Sequence, residues 1–248
     1  MFPRSSSSLF LILVLTLLAA CGGERYSQLQ KAAADGDAEL VERMLSQGAD
    51  PNETGARGRT PLMLAAANGN TPVVALLLKR GVAVDVQDED GMTALMVAAG
   101  GGHTEVVRLL LEHGAQLDRT NAYGVSALEH AVLFGRTEVV RLLLQQPQSP
   151  SQTALDESLL IAAGLGHDEI VTALLAKGAE VNARGKAGRT PLMAAIAFEH
   201  PSTVKILLEH GADPRLKDQG GHDAYMVARQ QGNREVIELL ERHDSASG

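Results

Sequence analysis

A repeat of 33 residues runs through most of this chain of 248 residues, so the chain is expected to fold from stacked copies of one short unit. Most copies carry a glycine nine residues after their start and another glycine twelve residues later. Successive starts are separated by 33, 33, 33, 31, 33 and 33 residues. The seven starts are Ser27, Thr60, Thr93, Ser126, Glu157, Thr190 and Asp223. Units this short bury their apolar faces only against one another, which predicts a solenoid.

Each copy has the local features of two short helices. Thr60 and Thr190 stand before Pro-Leu-Met, where the hydroxyl can accept a first-turn N–H and proline fits the first helical position. The glycine nine residues on ends this helix. A second apolar run, such as Val-Val-Arg-Leu-Leu-Leu at 106–111 and 139–144, predicts a second helix that ends near the next glycine. Aromatic residues make up only 3% of the chain, and Ala, Leu and Val suit thin, repeated helix contacts.

The order of these motifs resembles the ankyrin repeat over residues 26–243. Thr-Pro-Leu-Met, Gly-His, Val-Val-x-Leu-Leu-Leu and Gly-Ala-Asp follow one another as in that family, although methionine mostly replaces the family's histidine after Thr-Pro-Leu. The resemblance implies an all-α ankyrin-repeat solenoid of about seven helix-turn-helix units with projecting β-turn or hairpin fingers. It also implies that His103 and His167 bridge adjacent units.

The junction between the fourth and fifth copies departs from the pattern. Where Gly-Ala-Asp belongs, residues 145–152 read Gln-Gln-Pro-Gln-Ser-Pro-Ser-Gln, and the spacing falls by two. Two prolines without a glycine predict an irregular loop, which either kinks the superhelix or is only a shortened finger. The polar first and last copies are expected to cap the solenoid, and residues 244–248 to form a disordered tail.

Residues 1–20 have the pattern of an export signal. Arg4 precedes a twelve-residue apolar run, which is too short to cross a bilayer as a helix and fits a signal peptide. Leu-Ala-Ala-Cys-Gly at 18–22 then resembles the bacterial lipobox, which implies that Cys21 is lipidated and that residues 21–25 form a short tether. The absence of aspartate after the cysteine implies the outer membrane, facing the periplasm. An ordinary signal peptide beside a chance cysteine is the alternative.

Charge and motifs argue against several classes of protein. The formal charge is −8, and removal of Arg4 with the signal leaves 21 − 30 = −9, which disfavours binding to nucleic acid. A single cysteine cannot form an internal disulfide. The chain has no H-E-x-x-H, C-x-x-C or G-x-S-x-G motif, and the three glycines at 100–102 are not followed by the Lys-Ser/Thr of a phosphate loop. We therefore expect neither catalysis nor a cofactor nor a metal. Two of the histidines, His113 and His210, fall at predicted helix ends, where a partly protonated imidazole interacts favourably with the helix dipole.

The partner-binding residues follow from the positions that the family exposes on its concave face. These positions lie four, three and one residues before each repeat start, and seven and eight residues after it. The candidates are Met92, Tyr123, Val125, Leu133, Phe134, Leu165, Arg189 and Phe198. Contiguous exposed apolar side chains form a binding patch; the alternative is that both phenylalanines pack as additional core. Nearby charges at 88–90, at Arg184 and at Lys186 are either merely solvated or steer association.

The hypothesis that follows is a monomeric, non-enzymatic lipoprotein of the bacterial cell envelope that captures a protein in the periplasm on its concave face and fingers. This hypothesis has two narrower forms. In one, the chain is an immunity protein that neutralises an antibacterial toxin; in the other, it is a scaffold that supports a periplasmic enzyme in stress defence. An enzyme with a site hidden at the Pro147–Pro150 junction is an alternative from another class. A further alternative is an architectural role against peptidoglycan or the membrane.

Overall fold

The computed structural model describes residues 26–247, which form fourteen α-helices, two short 3₁₀ turns and no β-strand. The helices come in seven pairs, as the sequence predicts. They are α1 Gln28–Asp35, α2 Ala38–Ser46, α3 Pro61–Ala67, α4 Thr71–Lys79, α5 Ala94–Gly101, α6 Thr104–Glu112, α7 Ala127–Leu133, α8 Thr137–Leu144, α9 Gln152–Leu165, α10 Asp168–Lys177, α11 Pro191–Ala197, α12 Pro201–Glu209, α13 Ala224–Gln231 and α14 Arg234–Ser247. The predicted export signal, Cys21 and the tether at 21–25 lie outside the described residues.

The pairs stack into a solenoid with one continuous core. The first helix of each pair packs against the first helices of its neighbours, and second helices pack in the same way. The core extends from Leu29 in the first pair to Leu240 in the last and consists mainly of Ala, Leu and Val. The all-helical solenoid predicted from the repeat is therefore confirmed. Within 26–247, no helix is both long enough and apolar enough to cross a membrane.

Six of the seven first helices begin immediately after the residue taken as the repeat start. There the side chain accepts the N–H of the residue three positions on, as in the 3.2 Å bond from Met63 N to Thr60 Oγ1. The fifth pair differs, because its helix α9 begins at Gln152 and Glu157 lies within it. Ser151 caps this helix by accepting the N–H of Ala154 at 3.2 Å. The hydroxyl just after Pro150 supplies a cap six residues before the position that the repeat spacing indicates.

The longer α9 takes the place of a finger at the fourth-to-fifth junction. It has 14 residues, whereas α3 and α11 have seven each. Its first turns contact the next connection, because Asp156 Oδ1 accepts the N–H of Glu180 at 2.8 Å. Residues 145–151 form a short irregular loop, which agrees with the prediction from the two prolines.

Five connections project as fingers, which we number by the pair that follows them: the second (50–59), third (83–92), fourth (116–125), sixth (180–189) and seventh (213–222). In the third, fourth and seventh fingers, an Asp or Asn side chain accepts two backbone N–H groups, those two and four residues further on. In the second and sixth, Arg57 and Ala187 adopt left-handed backbone conformations before a glycine. Across 26–247 the only β-pairing is an isolated bridge between Thr120 and Ser126, so the fingers are turns rather than hairpins.

The last helix continues through the segment predicted to be a disordered tail. Helix α14 runs to Ser247, and two contacts hold its end against the seventh pair. Arg215 Nη2 lies 2.7 Å from Asp244 Oδ2, and the Tyr225 hydroxyl donates to the Leu240 carbonyl at 3.3 Å. No glycine or proline interrupts the helix before Gly248, so nothing in the local sequence stops it at Asp244.

Candidate partner-binding surface

The first helices and the fingers enclose a groove of about 320 Å³ at the second, third and fourth pairs. Two of the predicted candidates line it: Met92 on the third finger and Tyr123 on the fourth. The Tyr123 side chain is 68% exposed. The first helices also line the groove, with Val97, Gly101 and His130 among others.

The groove contains a set of positions that the sequence analysis missed. Leu64, Val97 and His130 are each the fourth residue after a repeat start, one helical turn before the seventh and eighth residues that we selected. Residues four apart share a helix face, so the helical period could have identified this third row. The depth of the groove, however, depends on how the fingers lie across neighbouring units, which no single repeat shows.

Most of the acidic charge on the third finger is paired with arginines of neighbouring fingers. Asp90 forms an ion pair with Arg57, and Asp88 Oδ2 lies 3.7 Å from Arg59 Nε, both arginines belonging to the second finger. Asp85 Oδ2 lies 3.9 Å from the Arg119 Nε of the fourth finger. These carboxylates therefore contribute to the order of the fingers and are not simply a solvated run. Glu89 is exposed, at the tip.

The two phenylalanines lie at the C-terminal ends of first helices, each against a glycine of the preceding unit. A Cβ added at Gly100 would come within 3.3 Å of Phe134 Cδ2, and one at Gly164 within 3.6 Å of Phe198 Cδ2. The ring of Phe134 is half-buried, whereas Phe198 is 54% exposed. With the half-buried Leu165 between them in sequence, they define a row that we call the aromatic stripe. The rings therefore pack on neighbouring units and still offer apolar surface.

The other candidates occupy the edges of this surface. Leu133 and Val125 are half-buried, and Arg189, the last residue of the sixth finger, is exposed. Next to Phe198, Glu199 has a φ of 62° where most other units carry glycine. A non-glycine residue in this left-handed region costs roughly 1–2 kcal/mol, and such strain is common at functional sites.

The histidines make contacts of a structural kind. His103 Nε2 donates to the Ala67 carbonyl at 2.9 Å, and His200 Nε2 donates to that of Gly164 at 3.2 Å, so both bridge adjacent units. His113 and His210 donate from Nδ1 to carbonyls one turn earlier, at helix ends. The expected bridge from His167 is absent, because its buried Nε2 has no partner among the described residues. No cluster of three potential metal ligands occurs in 26–247.

His130 is a buried neutral imidazole at the wall of the groove. Its side chain is 2% exposed, and Nδ1 donates to the Ser126 carbonyl at 2.8 Å. Burial lowers the pKa of His130, and the bond to Ser126 opposes this only in part. The folded-state pKa therefore lies below the value of 6.5 that an exposed imidazole has. The unfolded chain binds the proton more readily, so this histidine reduces stability as the pH falls below about 6.5.

Lowering the pH from about 7.5 to about 5.5 should lower the melting temperature, and His130→Gln should make the decrease smaller. Glutamine stays neutral, so the unfolded chain no longer gains a proton that the folded chain cannot bind at this site. Thermal unfolding followed by circular dichroism at the two pH values measures the difference. His113→Gln, at an exposed helix end, is the control. Identical pH dependence in wild type and His130→Gln would contradict the assignment.

Comparison with known proteins gives consistent results. A family model described as "Ankyrin repeats (3 copies)" matches residues 29–121, 78–154 and 159–246. The ankyrin repeat domain of human ASB11 is 25% identical with a TM-score of 0.77, over 88% of this chain and 98% of that one. The ankyrin repeat domain of Bcl-3, described as a unique member of the IkappaB protein family, is 28% identical with a TM-score of 0.75, over 88% and 100%. No curated protein matches the chain.

Proposed function

The chain belongs to the ankyrin repeat family, and we propose that it is a non-enzymatic protein that binds another protein on the face formed by its first helices and fingers. Ankyrin repeats are protein-interaction modules, and the family uses this concave face. The observation that carries the proposal is a groove lined by the exposed Tyr123, together with the exposed Phe198 at the end of another first helix. Exposed aromatic side chains are frequent among binding hot spots.

We further propose that the protein acts as a monomer, anchored by lipid on Cys21 to the outer membrane and facing the periplasm. The support is the sequence pattern at 1–22. Because Tyr26 is only five positions after Cys21, the tether spans at most about 17 Å, and the first unit stays close to the membrane surface. The partner would then be a protein that is present in, or enters, the periplasm.

Two finer functions follow from this location. An immunity protein would bind an antibacterial toxin that enters the periplasm, and a toxin gene beside this one would favour that function. A scaffold would hold a periplasmic enzyme in stress defence. Induction of this protein by peroxide, together with co-purification of that enzyme, would favour the scaffold function. The identity of the protein crosslinked at the aromatic stripe distinguishes the two.

Replacing both Phe134 and Phe198 by alanine should weaken partner capture by at least tenfold, because it removes the largest apolar side chains of the aromatic stripe. The melting temperature should change little, with a loss of stability under roughly 2 kcal/mol, since both rings remain partly exposed. A photo-crosslinking residue at Leu165 in intact cells, followed by mass spectrometry of the captured protein, measures capture. The control, Gln231→Ala, changes the matching position of the seventh unit.

The same cells test the anchor, because the wild-type chain should fractionate with the outer membrane and Cys21→Ser should not.

For the phenylalanine pair, undiminished capture by the variant that carries both alanines would contradict the proposed surface. A large loss of thermal stability would show instead that the phenylalanines belong to the core.

A further inference from the structure

The residues that frame the groove occur a second time, 130 residues further along the chain. The second set frames a recess between the sixth and seventh pairs. Five framing positions are identical in the two places: Arg59 and Arg189, Met63 and Met193, Ala67 and Ala197, Asp88 and Asp218, and Val97 and Val227. One structural frame has therefore been used twice in the same solenoid, and the two copies can be compared position by position.

The groove is open, whereas the recess is almost filled. The recess holds only about 20 Å³, compared with about 320 Å³ for the groove. Met92 of the groove corresponds to His222, which lines the recess and lies 3.2 Å from Asp218 Oδ1 through Nδ1. Gly100 corresponds to Gln230, which also lines the recess. The recess thus has polar side chains, His222 and Gln230, where the groove has Met92 and Gly100. The groove also gains a wall from Asn121, Tyr123 and His130 of the fourth pair, whereas no pair follows the seventh among the described residues.

The open groove offers apolar walls and hydrogen-bond acceptors. Met63, Val97 and Met92 supply apolar surface. Asp90 uses one carboxylate oxygen for Arg57, and the other has no hydrogen-bond partner within the described residues. Because Nδ1 of His130 is the donor to Ser126, Nε2 of the neutral ring is left as an acceptor.

The polar groups of the groove favour a cation. Asp90 is paired with Arg57 and Asp88 faces Arg59, so these four side chains carry no net charge, and the groups left for a ligand are the acceptors Asp90 Oδ1 and His130 Nε2. A carboxylate on a ligand would be repelled by Asp88 and Asp90, because the two arginines that face them are already engaged. An ammonium or guanidinium group would donate to acceptors that are already in place, and such charge-assisted bonds are strong.

We propose that the groove binds one bulky aliphatic or aromatic side chain of a protein partner, with a lysine or arginine directly beside it. The volume is at the small end of the range for ligand sites, which suits a single side chain rather than a helix or a folded surface. This inference rests on the proposed function, and it names the chemistry of the segment that the second to fourth units recognise. Phe134 and Phe198 then contact a different part of the same partner.

Methyl NMR of the mature chain, labelled with ¹³C at its methionine methyl groups, tests the proposal. Met63 and Met92 report on the groove, and Met193 reports on the closed recess. The probes are three capped tetrapeptides: Ac-Gly-Leu-Lys-Gly-NH₂, Ac-Gly-Leu-Glu-Gly-NH₂ and Ac-Gly-Ser-Lys-Gly-NH₂. The Leu-Lys peptide should shift both groove signals and leave Met193 unchanged. The Leu-Glu and Ser-Lys peptides should bind at least about fivefold more weakly.

Met92→His provides the matched variant, because it copies the residue that the chain uses at the closed recess. It should reduce the shift that the Leu-Lys peptide causes at Met63. No shift with that peptide, equal shifts with Leu-Glu, or an equal shift at Met193 would each overturn the proposal. If capture through Phe134 and Phe198 persists while the groove signals stay unmoved, the proposed function stands and only the assignment of the groove fails.

Discussion

Gly91→Ala should destabilise the protein by about 2–5 kcal/mol, whereas Gly81→Ala should cost only about 1–2 kcal/mol. The two glycines belong to the same repeat and have nearly the same backbone conformation, with φ of 74° and 73°. Both substitutions therefore place an L-residue in the left-handed region at a similar conformational cost. The expected difference comes from what surrounds the added Cβ atom.

At Gly91 the third and fourth fingers approach each other through their backbones. An added Cβ would lie 2.7 Å from the Ala122 nitrogen and 3.1 Å from the carbonyl carbon of Asn121. These are main-chain atoms and cannot rotate away, and the bond from Ala122 N to Asp90 O, at 2.9 Å, lies beside them. At Gly81 an added Cβ meets nothing within 4 Å. Only Gly91→Ala therefore forces two fingers apart.

Urea denaturation followed by circular dichroism gives both free energies of unfolding. Methionine methyl NMR of the folded variants adds a local measurement, because Met92 is adjacent to Gly91 and its signal should move far more in Gly91→Ala than in Gly81→Ala. Equal destabilisation by the two substitutions would show that left-handed strain alone explains the cost. The fingers would then not be held by the close approach of their backbones.

Much of the fold could be predicted because it follows from local rules that recur. A hydroxyl before Pro-Leu-Met caps a helix wherever it occurs, and Thr60 and Thr190 do so with similar geometry. In the fifth unit the first helix begins earlier than the repeat start, because the repeat spacing and a local rule conflict there. The spacing indicates Glu157, whereas Ser151 after Pro150 is the stronger cap. In the absence of a glycine to end the previous segment, the local cap determines where the helix begins.

The binding surface was less predictable, because a groove is a property of several units together. Tyr123 and Met92 were found from the positions that the family exposes. His130 was missed, since its burial depends on neighbouring units and not on its own repeat. The ion pair between Arg57 and Asp90 joins residues 33 positions apart, which equals one repeat, so it could have been found by comparing fingers rather than helices.

The third finger depends on one carboxylate, so Asp88→Ala should cost about 2–4 kcal/mol, the second largest effect that we expect. The Asp88 side chain is only 4% exposed. Its Oδ1 accepts the N–H of Asp90 at 3.0 Å and that of Met92 at 2.8 Å, while Oδ2 faces Arg59 at 3.7 Å. Alanine leaves two backbone donors and a largely buried guanidinium without this partner.

Asp88→Asn separates the two contributions, because an amide oxygen can still accept both N–H groups. Asn121 already does so at the matching position of the fourth finger, with bonds of 2.9 Å to Tyr123 N and 3.0 Å to Val125 N. Asp88→Asn should therefore cost about 1–2 kcal/mol, less than Asp88→Ala, because it keeps both turn bonds and loses only the charge that faces Arg59 at 3.7 Å. Urea denaturation of the two variants measures both values. A cost for Asn as large as that for Ala would mean that the charge, and not the turn, holds the finger against the groove.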